Sequence, residues 1–346
     1  MLIEKKIIDL TVLMPVYNNE KYVSFAIKSI LNQTLKNFEF IIIDDCSSDQ
    51  SFNIIKSFDD ARLKIIRNKS NLGVAESLNK GIKLSKGKYI ARMDSDDISL
   101  PNRLEYQLNF LKKNPDIGVL GSDVIIINEN IKSISEVQFN FNKKKKFKNF
   151  FLQNPKTHDC CLWFLLFDNC FYHPTTMFKK SLIDIAGYYD HSGSEDFDLW
   201  TRLINKTRFS NLKIPLLLYR QHSNQISKKK HTIEYNKRIV ARSRAFYEIL
   251  KYRISDDNLY NLSLRQSKNE LKYKNFVINF NKIYLQFNKK FNLSFFEKLR
   301  ICIDYFRFLF QILKKISFCK KIYILIKALS VHIQLLINIF FILFKK

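Results

Sequence analysis

Hydrophobic residues in the first 130 positions follow two alternating spacings. Short runs rich in β-branched residues recur at residues 7–14, 38–44, 63–67, 89–93 and 117–127. Runs of this kind predict buried strands. Between them, apolar residues return every three or four positions, which predicts helices. Strands that alternate with helices are typical of βαβ units, so the pattern predicts an α/β fold with a Rossmann-like, mostly parallel sheet flanked by helices.

The predicted helices lie at residues 20–31, 73–85 and 101–113. Asn18 or Asn19 can cap the first of them, and Pro101 suits the first turn of the third because its φ angle is fixed.

The pattern changes beyond the first domain. A fourth helix is predicted in EDFDLWTRLI, and a strand at residues 213–222. After residue 231 glycine and proline vanish, while Leu, Ile, Phe and Lys dominate, which favours helices. We therefore predict an α/β domain at residues 1–230 and a helical region, associated with membranes, at residues 231–346.

The end of the chain is apolar and basic. Residues 322–344 form an apolar run of 23 positions, long enough to cross a bilayer, but Lys327 and several neutral polar residues interrupt it. The preceding segment, FFEKLRICIDYFRFLFQILKKI, is amphipathic and basic. We favour helices that lie in the interface of an anionic membrane over a spanning helix. A helix pair packed on the α/β domain is the alternative.

The chain of 346 residues has a formal net charge of +26. Such a charge attracts nucleic acid, anionic lipid or phosphorylated substrates, and it does not choose among them. The one concentrated basic run, NFNKKKKFKNF at residues 140–150, is too short to predict a nucleic-acid surface, so we expect no nucleic-acid partner.

The N-terminus and the cysteines predict a cytoplasmic protein. The apolar run at the N-terminus contains acidic residues and has no small-residue cleavage site, so it is not typical of a secretory signal. The six cysteines show no framework spacing. His158, Cys160, Cys161, Cys170 and His173 could supply zinc ligands, but no CxxC pair is present, and buried thiols are the favoured interpretation.

Polar clusters follow three of the predicted strands. They read PVYNNE, DDCSSD and DSDD, and ligands of open parallel sheets bind beyond the carboxyl ends of the strands. No GxGxxG or P-loop motif is present to cradle phosphate. Aspartates instead bind a hard divalent cation, so we predict that Asp94 and Asp96 hold Mg²⁺ or Mn²⁺ carrying a nucleotide diphosphate. For Asp97 we expect a structural role at the turn.

A second acidic site lies in GSEDFDLW, where Glu195, Asp196 and Asp198 occur together. Neighbouring carboxylates raise each other's proton affinity, which suits a general base. Acidic residues also favour the first turn of a helix, so the pattern alone is weak. Farther on, Arg220 and His222 end a predicted strand, and these residue types suit phosphate and metal.

The chain resembles the family 2 glycosyltransferases with the GT-A fold over residues 9–227. The motifs that carry the resemblance are, in order, VLMPVYNNEKYVSFAIKSILNQT, FEFIIIDDCSSDQS, NLGVAESLNKGIKLSKGKYIARMDSDDISLPNRLEYQ, HPTTMFKK, GYYD, SEDFDLWTRL and YRQHSNQIS. The resemblance implies an inverting transfer of a sugar from a nucleotide-diphosphate donor to a hydroxyl group.

The resemblance also implies a nucleotide pocket. Pro15, Val16 and Tyr17 fall where the family lines that pocket, and Asp45, with Asp44 beside it, falls where a carboxylate contacts the base. Cys46 departs from the family's DDGSxD pattern, which has glycine at that position.

The remaining motifs imply the reacting groups. Asp94 and Asp96 match the DxD pair near ribose and metal, with Asp96 as the direct metal ligand. Asp196 matches the base that takes the proton of the acceptor hydroxyl, and we assign Glu195 and Trp200 to acceptor binding.

Two basic residues complete the implied site. His222 matches a position that approaches metal or diphosphate, and Arg220 lies beside it as a donor-binding residue. Together with the metal they would stabilise the departing diphosphate.

The expected activity is metal-dependent synthesis of a cell-surface polysaccharide or glycolipid on a glycan or lipid-linked acceptor. The enzyme would be attached peripherally to the inner face of the cell membrane. One alternative is a binding protein for anionic lipid or nucleic acid, which would have no need for the aspartates. Another is a sugar nucleotidyltransferase, which needs a glycine-rich loop with arginine where this chain has PVYNNE.

Overall fold

The computed structural model describes residues 8–137, 155–191, 194–223, 225, 232–253, 282–291 and 297, with the backbone alone for residues 232–237. The basic run at residues 140–150 and the apolar run at residues 322–344 lie outside the described residues, as does nearly all of the amphipathic segment between residues 295 and 316.

Strands and helices alternate along most of the chain. The strands are β1 (Leu10–Val16), β2 (Glu39–Asp44), β3 (Leu63–Arg67), β4 (Tyr89–Arg92), β5 (Ile98–Ser99), β6 (Ile117–Asn128), β7 (Met177–Lys179) and β8 (Arg208–Gln221). The helices are α1 (Val23–Leu31), α2 (Ser51–Lys56), α3 (Val74–Leu84), α4 (Arg103–Lys113), α5 (His158–Leu165), α6 (Ser181–Ala186), α7 (Glu195–Leu203) and α8 (Thr232–Leu250). Residues 282–290 are also helical, and short 3₁₀ turns occupy Ile134–Glu136 and His173–Thr175.

The described strands form one sheet in the order β3-β2-β1-β4-β7-β6-β8-β5. Parallel pairs join β3 to β2, β2 to β1, β1 to β4 and β6 to β8. Strand β7 is antiparallel to both β4 and β6, and β5 is antiparallel to β8. Six strands therefore run in one direction, which confirms the predicted mostly parallel α/β fold. Their carboxyl ends open on one edge, where polar residues follow β1, β2, β4 and β8.

The core explains the continuous apolar runs in the sequence. All six residues of β2 are buried, as expected for a strand covered by helices on both faces. On one face, Val12 and Phe40 pack in a cluster with Ile27 of α1 and Leu104 of α4. On the other face, α3 lies so close to β1 that a Cβ atom at Gly81 would come within 2.1 Å of the Leu13 side chain. Glycine at this position allows the helix to approach the sheet.

The structure differs from the sequence-based elements in the second half of the sheet. Strands β5 and β7 are two and three residues long, too short for a periodicity to reveal. Strand β8 begins at Arg208, five residues before the predicted start, because its polar residues are accommodated by irregular pairing with β6 near Ser122 and Asp123.

The chain divides into two compact units, one comprising residues 1–161 and 169–238 and the other residues 162–168 and 239–346. In the second unit Trp163 makes edge-to-face contacts with Phe167 and Phe287, each with ring centroids 5.1 Å apart. The sequence-based boundary after residue 230 stays a prediction. Within the described residues, no helix combines the length and apolarity that crossing a bilayer requires.

Candidate functional site

Three aspartates directly after β4 form what we call the acidic cluster, Asp94, Asp96 and Asp97. One carboxylate oxygen from each lies within 4.8 Å of the others. Asp97 is buried, whereas the side chains of Asp94 and Asp96 are 30% and 20% exposed. The cluster therefore presents two accessible carboxylates with a third beneath them.

Buried arginines compensate the negative charge of the acidic cluster. Arg92, at the end of β4, forms an ion pair with Asp94. The backbone N–H of Arg220 donates to Asp97 Oδ1 at 2.8 Å, and its side-chain Nε donates to the Asp96 carbonyl oxygen at 2.7 Å. Arg103 is fully buried and donates to the Arg92 carbonyl oxygen at 2.5 Å. These contacts fix the turn that carries the cluster.

The carboxylates of the acidic cluster retain a high affinity for positive charge. Burial raises the pKa of Asp97 well above its ordinary value, and the neighbouring Asp96 and Asp94 raise it further. Burial also raises the pKa of Asp94, although Arg92 opposes the shift. Asp97 Oδ2 is buried and has no hydrogen-bond partner among the described residues. Three clustered carboxylates with an unpaired oxygen fit a hard divalent cation.

His222 follows β8 and reaches the acidic cluster. Its Nε2 lies 2.9 Å from Asp96 Oδ2, and its ring is 5.0 Å from the Tyr22 ring, centroid to centroid. The structure thus brings together Asp94, Asp96 and His222, the three residues that the sequence predicts as metal ligands. It adds Asp97, for which a structural role was expected. The ligand roles stay predictions.

Arg220 occupies a different position from the one expected of a phosphate-binding cation. Its side chain is fully buried, and Nη1 donates to the carbonyl oxygens of Asn128 at 3.1 Å and Ile131 at 2.5 Å. Its guanidinium also lies 4.7 Å from the centre of the Tyr22 ring. In this structure Arg220 supports the acidic cluster from below, and its predicted contact with donor stays a prediction.

The residues predicted to bind the nucleotide lie after β1 and β2. Asp45 accepts hydrogen bonds from Asn68 Nδ2 at 2.7 Å and from the backbone N–H groups of Leu72 and Gly73 at 2.9 and 2.8 Å. Asp44 is buried and pairs with Arg67 Nε at 3.1 Å. The Asp45 carboxylate therefore organises the loop from residue 68 to residue 73, and the Asp44 carboxylate holds Arg67 at the end of β3.

The neighbouring positions form an exposed wall. Val16 is buried, Pro15 is half-buried and the Tyr17 side chain is 50% exposed. Cys46 has a φ angle of 62°, in the left-handed region that favours glycine. This backbone conformation explains why the resembling family has glycine there. The nucleotide-binding roles of these residues stay predictions.

Glu195 and Asp196, which we call the carboxylate pair, begin α7. Asn169 Nδ2 donates to Asp196 Oδ2 at 2.5 Å, and burial raises the pKa of Asp196. Burial, followed by the charge of Asp196, raises the pKa of Glu195 to about 7. A raised pKa makes a carboxylate a stronger proton acceptor, as a general base requires.

Trp200, which the sequence predicts to bind acceptor, lies in the core of the structure. The expected acceptor-binding side chain is fully buried and packs against Phe171 and Phe178, with ring centroids 5.6 and 6.0 Å apart. The helical period places Trp200 on the same inward face of α7 as Phe197 and Leu203. It supports the helix that carries the carboxylate pair, and its acceptor-binding role stays a prediction.

Of the residues considered for zinc, His158 is half-buried and the other four are buried. Cys160, Cys161 and Cys170 are free thiols. His158 Nδ1 accepts a hydrogen bond from the Phe209 backbone N–H at 3.1 Å, and burial lowers the pKa of this histidine to about 4. The three cysteines therefore agree with the favoured interpretation as buried thiols.

Sequence reasoning missed three residues of the site. Arg92 and Arg103 lie close to the DSDD motif in the sequence, but basic residues are common in this chain and nothing in their spacing marks them as buried. Asn169 lies in a segment without a recognisable motif, and only the tertiary structure brings it to Asp196.

Comparisons with known proteins agree on one family. The family model Glycosyl transferase family 2 matches residues 11–170. The O-antigen biosynthesis glycosyltransferase WbnJ of Escherichia coli is 39% identical over 235 residues, which cover 64% of this chain and 84% of that protein. The UDP-Glc:alpha-D-GlcNAc-diphosphoundecaprenol beta-1,3-glucosyltransferase WfgD of Escherichia coli is 36% identical over 138 residues, 39% of this chain and 54% of that protein.

A solved structure shows the same fold. Residues 1–349 of TarS from S. aureus, in complex with UDP-GlcNAc, align with a TM-score of 0.53 and 18% identity, covering 74% of this chain and 70% of that one. The fold of this chain is therefore the GT-A fold of glycosyltransferases.

We predict that Glu195 makes stability depend on pH. Its folded-state pKa is about 7 against an ordinary value of 4.5, so its contribution to stability is full below pH 4.5 and is lost as the pH rises through 7. Glu195→Gln removes the ionisable carboxyl group, and with it this loss of stability at higher pH. The melting temperature of the variant relative to wild type should therefore rise between pH 5 and pH 8, measured by calorimetry.

The matched control is Glu105→Gln, which removes an exposed carboxylate from α4. A melting-temperature difference for Glu195→Gln that stays constant or falls over the same pH range would contradict the raised pKa.

Proposed function

Because the chain belongs to family 2 of the glycosyl transferases, we propose that its acidic cluster binds a nucleotide-diphosphate sugar and that its carboxylate pair activates the acceptor hydroxyl. The observation that carries the proposal is the acidic cluster, in which one oxygen from each carboxylate lies within 4.8 Å of the others beside the buried Arg92. The charge of Asp94 raises the pKa of Glu195, and the charge of Asp196 raises the pKa of Asp94. Donor-side and acceptor-side carboxylates thus act within one site.

The reaction follows from the chemistry of these groups. The acceptor hydroxyl oxygen attacks the anomeric carbon while the bond from that carbon to the diphosphate oxygen breaks. Asp196 takes the hydroxyl proton, and its raised pKa suits the task. Attack opposite the leaving group inverts the anomeric configuration. Asn169 orients the Asp196 carboxylate through its hydrogen bond.

A divalent cation fits the acidic cluster. Asp94, Asp96 and Asp97 would hold Mg²⁺ or Mn²⁺ with His222 as the further ligand, because carboxylate oxygens suit these hard cations and Asp97 has an unpaired oxygen. When bound, the cation supplies positive charge to the departing diphosphate. Arg92 keeps Asp94 in place through their ion pair.

We propose that the acceptor is a glycan or a lipid-linked sugar of a cell-surface polysaccharide. The support is the similarity to an O-antigen glycosyltransferase and to a glucosyltransferase named for a diphosphoundecaprenol-linked sugar. Attachment to the inner face of an anionic membrane is proposed from the basic, apolar sequence of the tail. The alternatives, a non-catalytic binding protein and a sugar nucleotidyltransferase, are not favoured.

Replacing Asp96 tests the donor site. For Asp96→Ala we expect turnover to fall by about 100-fold or more, because the leaving diphosphate loses its charge compensation. The measurement is release of nucleotide diphosphate from UDP-, GDP- and dTDP-sugars, with Mn²⁺ or with a chelator. The control Asp59→Ala removes an exposed aspartate far from the motif. Wild-type turnover in Asp96→Ala, or full activity in chelator, would refute the metal role.

Replacing Asp196 separates binding from chemistry. Asp196→Asn keeps the shape of the side chain and removes the base, so we expect transfer to fall by about 10²- to 10⁴-fold. Donor affinity, measured by calorimetry, should stay unchanged. Asp184→Asn, on the exposed side of α6, is the control. Collapse of donor binding together with transfer would show that Asp196 is not the base.

Deleting residues 296–346 tests membrane attachment. We expect the full chain to fractionate with membranes and to cosediment with anionic vesicles more than with neutral ones, because the tail combines apolar and basic residues. The truncated chain should remain in the supernatant. Full-length protein that fails to bind either membranes or anionic vesicles would argue against the anchor.

A further inference from the structure

A row of buried polar side chains leads from α3 to the carboxylate pair, and the proposed reaction assigns it no role. It begins at Asn79, whose Nδ2 donates to the Tyr189 carbonyl oxygen at 2.9 Å. The Tyr189 backbone N–H donates back to Asn79 Oδ1 at 2.9 Å. Both residues are buried. This reciprocal pair of hydrogen bonds fixes the position of the Tyr189 backbone relative to α3.

The row continues through His173 to Glu195. The Tyr189 hydroxyl oxygen lies 3.1 Å from His173 Nε2, and the two rings are 5.5 Å apart. On the other side of the imidazole, Nδ1 lies 3.6 Å from Glu195 Oε1. That separation is slightly longer than a hydrogen bond, and such contacts commonly shorten when a substrate binds.

The chemistry of the buried groups decides which nitrogen of His173 carries the proton. Burial raises the pKa of Tyr189, so its hydroxyl keeps its proton. A buried hydroxyl needs an acceptor, and His173 Nε2 is the partner that the described part of the chain provides. Burial, and then the charge of Arg92, lowers the pKa of His173, which is therefore neutral with one N–H. With Nε2 accepting, that N–H is on Nδ1.

We propose that Tyr189 and His173 are positioning residues for Glu195: the Tyr189 hydroxyl holds His173 in the tautomer whose Nδ1–H points at the Glu195 carboxylate. The N–H orients the carboxylate and favours its ionised form beside the bound acceptor. This inference rests on the proposed function of the carboxylate pair. An orienting hydrogen bond of this type commonly sets the tautomer of a histidine in an active site.

His173 differs in kind from the charged groups around Glu195. Arg92 favours the ionised carboxylate, whereas Asp196 and Asp94 oppose it. The charges of Arg92 and Arg202 lower the pKa of Tyr189, whereas the charges of Asp196 and Glu195 raise it. His173 is the one group among these that presents a neutral N–H to Glu195 at close range. Its loss should therefore raise the pH at which Glu195 ionises.

Tyr189→Phe removes the hydroxyl and keeps the ring. In the variant, His173 is free to move its proton to Nε2, and Glu195 then ionises at a higher pH. The lower-pH limb of the plot of transfer rate against pH should therefore shift upward by about half a pH unit to one pH unit, a change of roughly 1 kcal/mol. We expect kcat to fall several-fold while KM for the donor stays constant. Tyr188→Phe is the matched control, because the Tyr188 side chain is 40% exposed.

The tautomer itself is read by ¹⁵N NMR of histidine-labelled protein, without turnover. Loss of one signal in His173→Gln assigns His173 among the six histidines of the chain. We expect Nδ1 to carry the proton in wild type and Nε2 to gain it in Tyr189→Phe. A proton on Nε2 in wild type, or an unchanged tautomer and pH profile in Tyr189→Phe, would overturn the inference. An inactive wild-type enzyme would overturn the proposed function alone.

A pair of replacements at His173 tests whether the N–H group matters. His173→Gln retains an N–H donor, whereas His173→Ala does not. Transfer by His173→Gln should therefore exceed transfer by His173→Ala severalfold. Melting temperature and circular dichroism first establish that both variants are folded to the same extent. Equal activity of the two variants across the pH range would show that the imidazole acts through its volume and not through its N–H.

Discussion

The site depends on burying positive charge beneath the acidic cluster. Three carboxylates within a few ångströms of one another repel strongly where little water screens them. Arg92 pairs with Asp94, and Arg220 secures Asp97 through its backbone and Asp96 through its guanidinium. The arginines are themselves costly to bury, and that cost is offset by main-chain carbonyls that accept from Arg220 and Arg103. Contacts within the protein alone therefore hold the turn that carries the cluster.

Arg92 also explains how the two halves of the site influence each other. It ends β4, pairs with Asp94 of the acidic cluster, and lowers the pKa of Glu195 in the carboxylate pair. A change in the charge of the acidic cluster consequently changes the pKa of Glu195. A cation that binds at Asp94 and Asp96 would act in the same direction as Arg92 and favour ionisation of Glu195. In the proposed reaction, the binding of a cation and the ionisation of Glu195 are thus linked through electrostatics.

The sequence predicts the parts of the molecule whose determinants are local. The long parallel strands, the main helices, the acidic cluster and the carboxylate pair follow from periodicity and motifs. Arg220 shows the limit. An arginine that ends a strand suggests a phosphate ligand, but the carbonyls that enclose it come from Asn128 and Ile131, about 90 residues away in the chain. The burial of Trp200 is a second example, because it depends on Phe171 and Phe178, which lie more than twenty residues earlier in the chain. Roles that depend on distant partners cannot be inferred from spacing along the chain.

Helix α3 gives these distant partners a common support. At its start, the Leu72 and Gly73 N–H groups donate to Asp45, a favourable arrangement because the helix N-terminus attracts negative charge. Two turns later, Asn79 holds Tyr189 and through it His173. The close contact at Gly81 fixes the helix on β1. One rigid element therefore sets the position of a predicted nucleotide-side carboxylate and of the groups behind Glu195. In the proposed reaction these groups lie on the donor and acceptor sides, so a single helix supports both sides.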